Sequence, residues 1–145
     1  RFAGRLAGLY PTDPVKALAV DEVLGVSEDL AAAMLAPRAM EPAFKQVSAS
    51  VAAKQKAALL SSINEDALPR YFGVLEKLLE ANGTGWFVGA APTVADVAVA
   101  TVVRIFTTGF AEQWGYSPEV PKGYPRVMAM SEALERLPPV KKWIE

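Results

Sequence analysis

The sequence predicts an all-α bundle, and three observations carry that expectation. Apolar residues recur at helical spacing along most of the 145 residues, and no stretch alternates as a half-buried strand would. Proline or glycine marks the ends of several of these periodic segments, as at Pro14, Pro37, Gly83 and Pro125. Hydrophobic residues make up 52% of the chain, yet no uninterrupted apolar run reaches bilayer length. The stretch from Val97 to Val103 is broken by Thr101 and bounded by Asp96 and Arg104. The expectation is one soluble globular domain with a proper core.

Phe2 to Leu9 has the form of a helix tail stopped by Gly8 and Pro11. The next helix starts at Thr12 or Asp13 as N-cap, with Pro14 at its first position. It should run to about Ala36, because Pro37 disfavours helical geometry in the residue before it. Val47 to Asn82 reads as one long bent helix or two in series, with Pro69 at the bend. Its second half places Leu68, Tyr71, Phe72, Leu75, Leu78 and Leu79 on one face, and Gly83 ends it. A helix from Thr93 to Phe106 is apolar on both sides, so it is expected to be central and buried nearly all round. Two shorter helices follow Pro125 and Pro139; the first carries Val127, Met130, Leu134 and Leu137, the second Val140, Trp143 and Ile144.

Composition excludes whole classes of chemistry. With no cysteine there is no disulfide, no thiolate nucleophile and no Cys-ligated zinc. With no histidine there is no Ser-His-Asp triad and no imidazole acid, base or metal ligand. Fifteen Lys and Arg against sixteen Asp and Glu leave a net charge of −1, which is no footprint for nucleic acid or an anionic membrane. The first residues, Arg1-Phe2-Ala3-Gly4-Arg5, are too charged and glycine-rich for a secretory signal.

Four features stand above this background. Thr93-Val94-Ala95-Asp96 has the form of a capping box, worth about 0.5–2 kcal/mol, and that role explains both polar residues better than a catalytic Asp96 would. Asp21, Glu28 and Asp29 share a helical face, which fits a solvated acidic stripe or a site for a cation or an ammonium group. Trp86, Phe87, Trp114, Tyr116, Tyr124 and Trp143 lack a basic groove beside them, so packing accounts for them better than base stacking. Gly83, Gly85 and Gly89 precede no GK[ST] sequence and form no phosphate cradle.

Taken in order, these segments resemble the C-terminal helical domain of cytosolic glutathione transferases, most closely the sigma class and its pi-class relatives. Four stretches carry the resemblance: Arg1–Arg5 with Gly8-Leu9-Tyr10-Pro11; Val20-Asp21 through Ser27-Glu28-Asp29-Leu30; Leu68–Gly83 with Trp86-Phe87-Val88-Gly89 and Thr93–Asp96; and Tyr124–Val127 through Leu137–Ile144. The third is the most specific, and the match spans essentially the whole chain. It implies a right-handed helical bundle over residues 12–145, preceded in 1–11 by the end of a thioredoxin-like domain helix and the interdomain linker.

The resemblance also implies a function. A complete protein of this kind joins glutathione, as co-substrate and with no separate cofactor or metal, to a hydrophobic electrophile. It works as a cytoplasmic homodimer, without nucleic acid or membrane insertion. The hydroxyl that activates the thiol belongs to the thioredoxin-like domain, so this chain holds no catalytic residue and is expected to be inactive alone. Asp29 matches the acid that reaches across the dimer to the glutathione α-amino group, a charge-assisted contact. Met34, Leu35, Arg38 and Ala39 fall where the family lines its electrophile pocket, with Thr101 and Val102 facing them. Two departures stand out: Gly25 replaces a frequent acid, weakening any claim to a magnesium site, and Ala39 replaces a helpful pi-class Tyr. The alternative is a non-catalytic domain of the same fold, kept as a structural protein or scaffold.

Overall fold

The computed structural model describes the backbone of residues 1–144 and the side chains of residues 1–142. The apolar side chains of Trp143 and Ile144, expected on the last helix, therefore lie outside the described residues. Among the described residues there are nine α-helices and no strand. They are α1 (Phe2–Leu6), α2 (Pro14–Ala39), α3 (Glu41–Phe44), α4 (Ala49–Ser62), α5 (Leu68–Asn82), α6 (Val94–Thr107), α7 (Phe110–Gln113), α8 (Pro125–Glu135) and α9 (Pro138–Ile144). A π-helical turn, Ile63–Ala67, joins α4 to α5, and a 3-10 turn, Val120–Gly123, precedes α8. The chain is the all-α, right-handed bundle expected.

Four helices make the core. α6 packs between α2 and α8, and α5 touches both of those neighbours. Val20, Leu30, Leu68, Phe72, Leu75, Val99, Val103 and Val127 are all sealed from solvent there. Each such side chain contributes about 1.5–3 kcal/mol by leaving water, before chain entropy is counted. Phe72 sits at the centre, edge-on to Phe106 and stacked on Tyr124, each at 5.6 Å between ring centroids.

Local chemistry sets the helix ends. Asp13 is the N-cap of α2, its Oδ1 accepting from the Lys16 N–H at 2.8 Å with Pro14 next in line. Gly83 takes φ +68° after α5, a left-handed conformation that its missing Cβ permits. The start of α8 is capped from another helix. The Glu76 carboxylate of α5 accepts from the Arg126 and Val127 N–H groups at 3.1 and 3.0 Å, and it also pairs with the Arg126 guanidinium.

Four sequence expectations change. First, α2 does not stop at Ala36 but carries Pro37 inside it and ends at Ala39. A proline two residues before a helix end removes one hydrogen bond, and the Met40 N–H still reaches the Ala36 carbonyl at 3.0 Å. Second, the long segment begins at Ala49 rather than Val47, and its interruption is the π turn just before Pro69. The wider turn accommodates a ring that would crowd the carbonyl four residues back. Third, α6 is not buried all round: Val97 and Thr101 lie on a solvent-facing stripe that neither α2 nor α8 covers. The last helix also opens at Pro138, one residue before the expected Pro139.

Candidate functional site

The polar residues at the start of α6 form a closed structural unit. Asp96 is 0% exposed. Its Oδ2 accepts from the Thr93 N–H at 2.7 Å and the Thr93 hydroxyl at 2.8 Å; its Oδ1 accepts from the Phe87 N–H at 2.9 Å. The Thr93 hydroxyl oxygen in turn accepts from the Ala95 N–H at 3.3 Å. The box therefore caps α6 and also pins the preceding connection, which Asn82 braces by donating to the Trp86 and Gly89 carbonyls. No substrate reaches a carboxylate so enclosed.

The acidic face of α2 separates into two parts. Asp21 pairs with Arg1 at 2.7 Å, and hydrogen bonds from Arg1 and then Tyr10 hold its carboxyl below its ordinary value. Glu28 and Asp29 stand exposed, and Asp29 makes no hydrogen bond or ion pair among the described residues. Its charge is therefore open to a ligand or a partner. Among the described residues no group of three carboxylates gathers to hold a metal ion.

A cavity of about 450 Å³ opens at the C-terminal end of α2, within the range of small-molecule pockets. Met34, Leu35, Pro37 and Arg38 form the α2 side. Leu60 of α4 closes another side beside Lys56, whose ammonium donates to Glu41 at 3.2 Å. Residues 112–116 supply the remaining wall, with Trp114 40% exposed over the opening. Arg38 has no hydrogen bond or ion pair among the described residues, so a free guanidinium borders a lining that is apolar at Met34, Leu35 and Leu60 and charged at Glu41, Lys56 and Glu112. The Tyr116 hydroxyl donates to the Met34 carbonyl, and burial pushes the phenol upward from its ordinary value.

The structure thus gathers three of the six residues assigned to a pocket. Ala39 is exposed at the end of α2 and Thr101 on the outer face of α6, its hydroxyl donating to the Val97 carbonyl at 2.8 Å. Val102 is buried in the core, and none of these three lines the cavity. Sequence reasoning passed over Trp114, Tyr116 and Leu60 as cavity walls, having assigned the aromatics to packing. The available signal was Gly115 between two aromatics, which marks a backbone kink presenting both rings.

A long α2 crossing a buried α6, a capped α6 start and a cavity at the end of α2 define a helical domain of the glutathione-transferase type. Residues 40–145 match the family model described as "Glutathione S-transferase, C-terminal domain", and the chain belongs to that family. Glutathione S-transferase 1 of Ascaris suum is 26% identical over 99% of the chain, which covers 63% of that relative. The glutathione S-transferase structure from Ascaris lumbricoides superposes with a TM-score of 0.71 at 22% identity, again over 99% and 63% of the two chains. A prostaglandin synthase D structure from Nilaparvata lugens gives 0.72 at 19%, with the same coverage. At such identities the structural likeness speaks for the fold. The chain spans less than two thirds of the length of these relatives.

Proposed function

We propose that the chain supplies the electrophile pocket and the subunit contact of a sigma-like glutathione transferase. The observation that carries this reading is the cavity at the end of α2, where Met34, Leu35 and Trp114 offer apolar surface of a size suited to a small electrophile. In the complete protein, glutathione lies against a preceding domain, which converts its thiol to the nucleophilic thiolate. With an aromatic halide, the sulfur–carbon bond forms, the carbon–halogen bond breaks and halide leaves with the electron pair. The thiol proton passes to the activating hydroxyl's surroundings and then to water. The cavity's part is to hold the electrophile against the sulfur, so that an encounter between two solutes becomes a reaction within one complex.

Asp29 meets the glutathione ammonium bound by the other subunit of a homodimer, and its exposure without a partner in one chain supports that role. A cytoplasmic setting follows the family. The test is Leu35→Glu in the complete enzyme. A carboxylate in the apolar wall should raise the electrophile KM about tenfold or more and leave the glutathione KM unchanged. Equal KM values for variant and parent would remove the cavity from the reaction, whereas no turnover by the complete protein would favour a scaffold domain.

A further inference from the structure

The cavity has one wall that belongs to no long helix. Residues 109–117 leave α6 through Gly109 at φ +81°, make the single turn of α7 and return through Gly115 at φ +85°. Ala111 anchors the segment in the core, where it is fully buried. Two polar side chains tie down the part that returns past α7. Tyr116 is buried and ties the segment to the Met34 carbonyl of α2. The second tie comes from Asn64, on the π turn between α4 and α5. Its Nδ2 donates to the Gly115 carbonyl at 2.9 Å, and its Oδ1 accepts from the Ser117 N–H at 2.8 Å.

These bonds reach residues 115 and 117, as a neighbouring strand's peptide group would, so one side-chain amide takes the place of a missing strand. The π turn matters because an extra residue in a helix turn displaces the side chains around it. The same turn lies next to Leu60, which meets Gly115 so closely that a Cβ there would fall 2.9 Å from Leu60 Cδ1.

We propose that Asn64 is a positioning residue for the electrophile pocket: its amide fixes the strap 110–117 and so sets where Trp114 stands over the cavity. This rests on the pocket reading above, but the strap can be followed without any ligand. An amide is needed because one end must donate and the other accept. A carboxylate can accept from Ser117 but faces the Gly115 carbonyl with another acceptor. A protonated carboxyl regains the donor, so Asn64→Asp should behave like the parent only at low pH.

The experiment compares parent, Asn64→Ala and Asn64→Asp in the full chain by amide hydrogen exchange and by binding of 8-anilinonaphthalene-1-sulfonate, a flat aromatic anion. In Asn64→Ala, exchange across 110–117 should quicken about tenfold, with α5 and α6 unchanged and dye binding about threefold weaker. In Asn64→Asp, dye affinity relative to parent at the same pH should recover as pH falls through about 4. Unchanged strap exchange in Asn64→Ala, or no acid recovery in Asn64→Asp, would overturn the clamp. Dye binding by the parent that Leu35→Glu leaves intact would instead overturn the pocket, and the exchange result would still decide the clamp.

Discussion

Replacing Asp96 by Ala should be the most damaging single substitution at the start of α6, and its cost can be worked from three bonds. The side chain removed accepts from the Phe87 N–H, the Thr93 N–H and the Thr93 hydroxyl. The hydroxyl can rotate toward another acceptor. The two backbone donors cannot, and both residues are buried. An orphaned buried donor costs about 1–3 kcal/mol, so the pair costs about 2–6 kcal/mol, well above an ordinary lost cap. For a domain of this size about 3 °C of melting temperature accompanies each kcal/mol, which places the drop at about 6–18 °C. Asp96→Asn keeps one acceptor and orphans one backbone donor, so its loss should be about half as large. Thermal unfolding by circular dichroism measures all three proteins. An Asp96→Ala melting temperature within about 2 °C of parent, or an Asn variant worse than Ala, would mean that the Phe87 and Thr93 donors do not depend on this carboxylate.

Asp29→Asn in the complete enzyme keeps size and removes charge; the glutathione KM should rise about tenfold or more while the electrophile KM stays, and initial-rate kinetics would show it. Gly115→Ala places a Cβ at φ +85° against a movable Leu60 methyl, so backbone strain of about 1–2 kcal/mol dominates and should appear in denaturant unfolding. Tyr116→Phe should lose about 1 kcal/mol near neutral pH with its hydrogen bond. The raised phenol pKa means the native state keeps its proton longer than the unfolded state does. That contribution is whole below the ordinary value of 10.0 and is lost as pH climbs through the raised one. Parent stability should therefore fall more steeply than that of Tyr116→Phe above about pH 10, as denaturant titrations across that range would report.

Which parts of this structure the sequence announces follows from where the information sits. Helical faces are written in residue spacing, so Leu68, Phe72, Leu75 and Leu79 were legible as core, and Thr93 with Asp96 as a cap. The π turn was not, because it arises from the conflict between Pro69 and the carbonyl ahead of it, and only the proline half of that conflict shows in the sequence. Exposure of Val97 and Thr101 depends on which neighbours α6 finds, which composition does not encode. The cavity is the least legible feature. Arg38, Lys56, Glu41 and Trp114 come from separate segments, and the ion pair between Lys56 and Glu41 spans fifteen residues with no periodic signal. Family resemblance led to Met34, Leu35 and Arg38, but it also pointed to Ala39, Thr101 and Val102, which lie elsewhere.

In the proposed function, the apolar end of a glutathione conjugate occupies the cavity at the end of α2. A crystal structure of the complete protein with S-hexylglutathione tests it directly, because the hexyl chain stands in for the electrophile. Density for that chain is expected against Met34, Leu35 and Trp114, with Asn64 still bridging Gly115 and Ser117. A hexyl chain ordered on any other surface, with the cavity filled by water, would contradict it.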